Sequence, residues 1–133
     1  MTQEDKELLM KDLCARLPYG VMLSITHNEY TDETFNARLS DIDYCGEIKV
    51  RYGFEEYEQV FSLEQIKPYL FPLSSMTEEQ SIYMEKNKLI IASSETEVIM
   101  NPYGYDFLNK NHFDYRGLIE KGLAIDATGL NIY

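Results

Sequence analysis

Apolar positions recur first at helical spacing and then at every second residue. Leu9, Leu13 and Leu17 lie four apart. Leu8, Met10 and Cys14 widen that stripe, and Lys6, Lys11 and Arg16 fall off it. Residues 2–16 are therefore predicted as a one-sided helix, with Thr2 and Asp5 in a capping arrangement and acidic residues in the first turn. Pro18-Tyr19-Gly20 ends it. Alternation follows. Val21, Leu23 and Ile25 share a face of one strand, and residues 27–34 read as a polar loop. Phe35, Ala37, Leu39 and Asp41 share a face of a second strand. Ile48, Val50 and Tyr52 mark a third and 57–63 a fourth, with tight connections at 43–46 and 53–56.

The pattern then becomes irregular. Pro68 and Pro72 forbid a regular helix, so a helical turn at 63–66 should give way to extended chain lying against the core. Thr77 with Gln80, or Ser75 with Glu78, fits a capping box, which predicts a helix to about Lys86 or Asn87. The apolar run 89–92 is strand or buried helix by pattern alone. Ser93 and Ser94 are read as capping a further turn through 98–100. Asn101-Pro102-Tyr103-Gly104 reads as a break, followed by a short helix from Tyr105 to Lys110 with Phe107 and Leu108 inward. The sequence shows no internal repeat, low-complexity segment or linker.

Short strands joined by short loops argue for an antiparallel meander. The predicted fold is a single α+β domain over 1–133. An N-terminal helix precedes an antiparallel sheet of four or five strands, curled into a partly closed, SH3-like barrel, with helical segments in the C-terminal half.

Charge narrows the partners. The formal net charge is −11, with no Lys/Arg run. Phosphate repulsion argues against direct nucleic-acid binding, and an acidic surface fits a basic protein partner, or simply solubility. Tyr is abundant, at 11 residues with no Trp, which suits either core margins or half-wet contact surfaces. The N-terminus has neither a basic nor an apolar leader region, and no apolar run is long enough to span a membrane. A cytoplasmic location is expected. Cys14 and Cys45 lack CxxC or Cys/His spacing. They are read as structural thiols in a reducing compartment, with Cys14 in the core.

Candidate chemistry is sparse. His112 and Asp114 form a His-x-Asp pair that suits acid–base work or metal ligation, and His27 with Glu29 is the only other histidine neighbourhood. Asp114 suits a turn cap at least as well. Arg116 stands at i+2 from Asp114, which faces it the same way only on a strand. No nucleophile elbow or phosphate loop is present, and no cofactor is expected. Tyr52, Phe54, Glu55, Glu56, Tyr57 and Glu58 form an acidic, aromatic turn that suits a basic partner, although a solvated hairpin tip would look the same. The segment 111–124 reads as a locking element in which Phe113, Tyr115, Leu118, Ile119 and Leu123 pack on the sheet. Gly117 and Gly122 permit its bends, so that Gly122→Ala or Phe113→Ala would be strongly destabilising.

The segments Phe61–Leu70, Pro72–Glu79 and His112–Ala124 resemble a family of small uncharacterised proteins of gut anaerobic bacteria and their phages and mobile elements. The likeness covers roughly the second half of the chain. It implies an intracellular accessory role linked to a phage or mobile element, and no activity or site residues. The sequence therefore favours a non-enzymatic protein-interaction or assembly module binding through Tyr52, Phe54, Glu55, Glu56, Tyr57 and Arg116. The alternatives are a small metal-dependent or hydrolytic enzyme using His112, Asp114 and His27, and an acidic mimic of nucleic acid.

Overall fold

The computed structural model describes residues 1–27, 33–93 and 98–133, with backbone alone for 90–93 and 98–100. Helix α1 (Gln3–Arg16) opens on the predicted capping box: Thr2 accepts from the Asp5 N–H at 3.1 Å and Asp5 accepts from the Thr2 N–H at 3.2 Å. A 3₁₀ turn at Leu17–Tyr19 closes it, and Gly20 at φ 65° frees the chain to enter the sheet. Strands β1 (Met22–Thr26), β2 (Thr34–Ile42), β3 (Ile48–Tyr52) and β4 (Tyr57–Phe61) form the expected antiparallel meander. A 3₁₀ turn at Leu63–Gln65 follows, as the sequence suggests.

The extended chain after it is a full strand, β5 (Ile66–Pro72), inside the sheet despite its two prolines. Its partners explain this. Antiparallel pairing with β1 covers only Ile66 to Pro68. From Tyr69 onward β5 pairs in parallel with β9 (Ile125–Asp126) on its other side, where Leu70 accepts from the Ala127 N–H, and with β8 (Phe113–Asp114) on the side β1 has left, where Phe71 donates to the His112 carbonyl. Pro68 thus stands where the ladder changes partner, a position that tolerates a missing N–H. Beyond it the Tyr133 hydroxyl bridges the gap, accepting from the Met22 N–H at 3.0 Å and donating to the Tyr69 carbonyl at 2.8 Å.

The sheet has seven strands among the described residues, in the order β4-β3-β2-β1-β5-β8 with β9 beside β5. It stays open: β4 is one edge and does not meet β8. The expected four or five strands and partly closed SH3-like barrel give way to this open sheet, because β8 and β9 take up the second half of β5 and leave β4 without a partner to close on. The α+β class and the N-terminal helix stand. The main core lies between α1 and one sheet face, with Leu118, Leu123 and Ala124 closing it.

The C-terminal half departs most from expectation. Residues 98–100 are a strand, β7 (Val98–Met100), pairing with β6 (Ile90–Ser93). The cap expected at Ser94 and most of the loop expected over 27–34 fall outside the described residues. Asn101-Pro102 starts helix α3 (Pro102–Lys110) and does not break the chain: Asn101 accepts from the Gly104 N–H at 3.0 Å and Pro102 occupies the first helical position.

The two later helices end alike. Helix α2 (Glu78–Lys86) and α3 each have 9 residues. Each ends on Lys-Asn, and the Asn side chain (Asn87, Asn111) donates to the carbonyl four residues back at 2.8 Å. Each next residue is left-handed, Lys88 at φ 55° and His112 at φ 62°. A buried apolar residue follows in both, Leu89 or Phe113. The second, smaller core is made of the equivalent pairs Met84 with Leu108 and Leu89 with Phe113, and the equivalent rings Tyr83 and Phe107 stack at 5.1 Å.

Candidate functional site

Three places hold the polar and aromatic groups of interest. The first is the junction between α1 and residues 109–118. Asp12 and Arg16 lie one turn apart on the buried face of α1, beside Leu9 and Leu13. The Arg16 guanidinium donates to Asp12 at 2.7 and 3.1 Å and to the Phe113 carbonyl at 2.6 Å. Arg116 donates to Asp12 Oδ1 at 3.1 Å, the oxygen that also accepts from Arg16 Nη2. Both guanidiniums lie over the Tyr115 ring, at 5.4 and 4.8 Å from its centroid. The Tyr115 hydroxyl donates to Asn109 at 2.9 Å.

Arg16 is fully buried, although helical spacing of leucines alone places it off the apolar stripe, and Cys14, read as core, is exposed. The stripe is the face 9, 12, 13, 16, which carries an ion pair among its leucines. An Asp and an Arg four residues apart on that face are the signal that would have found it. Arg116 belongs to this lock and not to a contact surface with the hairpin.

Asp114 is a cap. Its carboxylate accepts from the N–H groups of Leu118 and Ile119, both at 3.0 Å, which fixes the turn after β8. His112 takes the position after the α3 C-cap, where glycine is the usual residue. Its ring stacks on Tyr133 at 3.8 Å and 11°. Burial, helped by the nearby Arg16 charge, pulls the imidazole down from 6.5 to about 4. Burial also raises the Tyr133 phenol to about 12.

His27 is elsewhere. Its carbonyl accepts from Gln65 at 3.2 Å, before the start of β5, whereas the His112 carbonyl accepts from the Phe71 N–H at 2.8 Å, near the strand's end. At about 3.3 Å per residue the two histidines are separated by roughly 20 Å of strand. His112 and Asp114 are therefore neighbours without His27. Among the described residues no group of three His, Cys, Asp or Glu side chains is placed to hold a metal.

The second place is the β3–β4 hairpin. Gly53 at φ 78° and Glu56 at φ 51° make its turn, closed by Glu56 N–H to the Gly53 carbonyl at 3.2 Å. Tyr52 and Tyr57 face each other across the strands, with centroids 6.1 Å apart. The row continues through Phe35, 4.9 Å from Tyr52, to Phe61 and His27. The Tyr57 hydroxyl donates to Glu55 at 2.7 Å, which raises its pKa. Glu58 is held by Arg51 at 2.8 Å on the opposite sheet face. Phe54, at the tip, is completely exposed, and Tyr57 and Val60 are half-exposed. The outward edge of β4 is bare: no backbone hydrogen bond outside its ladder with β3 involves 57–61 among the described residues.

The third place is an open cleft of about 430 Å³ between the 3₁₀ turn after α1 and the α2–α3 pair. Tyr19, Tyr83, Tyr103 and Phe107 line it with Asp106 and Lys110. Sequence reasoning passed over it because its rings come from three separate elements.

Compared with family models, curated proteins and solved structures, the chain matches none of them. Among the described residues no helix is long and apolar enough to cross a membrane.

Proposed function

We propose that this chain is a non-enzymatic protein-interaction or assembly module that contacts a basic partner through the β3–β4 hairpin. The observation carrying this reading is Phe54, wholly exposed between Gly53 and two glutamates, at the tip of a hairpin whose outer strand edge is uncovered. An exposed aromatic anchor beside unpaired backbone groups gives a partner both a hot spot and a ladder to join. Glu55 and Glu56 select for positive charge, and the net charge of −11 steers such a partner in from a distance. Tyr52 and Tyr57 form the half-buried base of the contact. The resemblance of the second half of the chain supports an accessory, cytoplasmic role linked to a phage or mobile element.

The enzyme alternative needs His27 beside His112 and Asp114, and the length of β5 separates them. The mimic alternative needs acidic rows on one face. The outward sheet face instead mixes Arg38, Lys49, Arg51 and Lys67 with Asp41 and Glu58.

The test is affinity isolation from the native host with the intact chain and with the triple variant Phe54→Ser, Glu55→Lys, Glu56→Lys. The variant side chains leave the core untouched, so stability should stay within about 0.5 kcal/mol. The expected result is a basic protein retained by the intact chain and lost with the variant. Retention by both would remove the hairpin from the account.

A further inference from the structure

We propose that the aromatic cleft between the turn at Leu17–Tyr19 and the α2–α3 pair is a binding site for an organic ammonium ion. This inference does not depend on the hairpin, which lies on another part of the fold.

Three observations carry it. The cleft is concave, about 430 Å³, within the range of small-molecule sites. Its walls are rings from three elements: Tyr19 after α1, Tyr83 on α2, and Tyr103 and Phe107 on α3. These tyrosines are not explained by the core. Tyr103 is 73% exposed and Tyr83 is 51% exposed, so neither contributes much burial to folding. The negative face of an aromatic ring attracts a cation with a weakly held hydration shell, and four rings line this one cleft.

The third observation is charge. Asp106 lines the same cleft, is exposed, and forms no ion pair among the described residues. Lys110 lines the cleft as well, so the preference for a cation over an anion or a neutral molecule rests on the aromatic rings and the chain's net charge of −11, with Asp106 offsetting Lys110. Lys110 also lines the neighbouring cleft that holds His112. It opposes the ligand's charge and therefore gives the site a signed test. Tyr83 and Phe107 stack on each other at 5.1 Å and 20°, so they form one fixed wall of the cleft, and Tyr19 and Tyr103 line the rest.

The experiment titrates choline and its neutral isostere 3,3-dimethylbutan-1-ol into isotopically labelled protein, followed by ring and amide resonances. Choline should shift Tyr19, Tyr83, Tyr103 and Phe107, and the alcohol should bind at least about tenfold more weakly. Asp106→Asn should weaken choline binding severalfold and Lys110→Met should tighten it. Both positions are exposed, so both variants should fold. A trimethyllysine peptide run beside choline separates a side-chain ligand from a free one. Tighter binding by the peptide assigns a protein side chain and tighter binding by choline a free molecule, and either supports the site. Equal binding of choline and the alcohol would overturn the proposal, as would shifts confined to other surfaces or no shift at all.

Discussion

Arg16 shows how one residue decides a local structure. Its guanidinium is fully buried and bonded to Asp12 and the Phe113 carbonyl, so it ties α1 to β8 across most of the chain. A buried pair of this kind contributes little over an apolar pair, but breaking it leaves an uncompensated charge. Asp12→Ala should therefore cost about 3–5 kcal/mol by urea denaturation, far more than the loss of a surface charge. A change under about 1 kcal/mol would mean that the junction relaxes to let water reach Arg16. His112 makes a pH prediction. Its folded pKa, about 4, lies below the unfolded value of 6.5. The unfolded chain thus binds more protons between these values, and stability falls as pH falls through that window. His112→Asn, which suits the left-handed backbone, should flatten the thermal midpoint over this range. The variant should keep the further loss at lower pH from Asp126, held low by Thr128, and Asp5, held low by Thr2. An unchanged profile in the variant would reject the assignment.

At the scale of elements, Leu118, Ile119 and Leu123 of the locking segment pack on the main core as predicted, Phe113 and Tyr115 go to the second core instead, and the segment's glycines do not carry it. Gly122 sits at φ 73° with nothing within 4 Å of the position an added Cβ would take. Gly122→Ala should cost only the left-handed penalty, about 1–2 kcal/mol. Phe113 is buried in the second core, and Phe113→Ala should cost about 3–5 kcal/mol. Calorimetry of the two variants side by side checks the ranking, and equal losses would contradict it. The same contrast explains what was legible in the sequence. Elements set by local rules were readable: the Thr2 and Thr77 capping boxes, the alternation of β1 to β4, the Asp114 cap. Elements set by distant partners were not. β5 tolerates Pro68 only because its neighbours change there, and β8 and β9 are two-residue strands with no periodicity to detect. Asn101-Pro102 was ambiguous, since the same pair can stop a chain or start a helix. Of the candidate sites, the hairpin was legible because its residues are contiguous. The aromatic cleft was not, because only folding brings Tyr19 to Tyr83 and Tyr103.

At the scale of the molecule, the open sheet has two unlike edges. At one, β9 lies beside β5, while β8, pinned to α1 through Arg16, fills the space β1 leaves, and Tyr133 bridges β1 and β5. The other, β4, is bare and carries the acidic hairpin. Rigidity is thus concentrated on one side and exposed contact groups on the other, which is the arrangement a binding module needs. The most direct test replaces Phe54 with a photo-crosslinking phenylalanine analogue, and separately Tyr44, in the native host. Tyr44 is equally exposed but lies in the turn at the other end of β3. The account predicts a salt-sensitive crosslink from position 54 to a basic protein and none to that protein from position 44. No crosslink from position 54, or the same products from both positions, would contradict it.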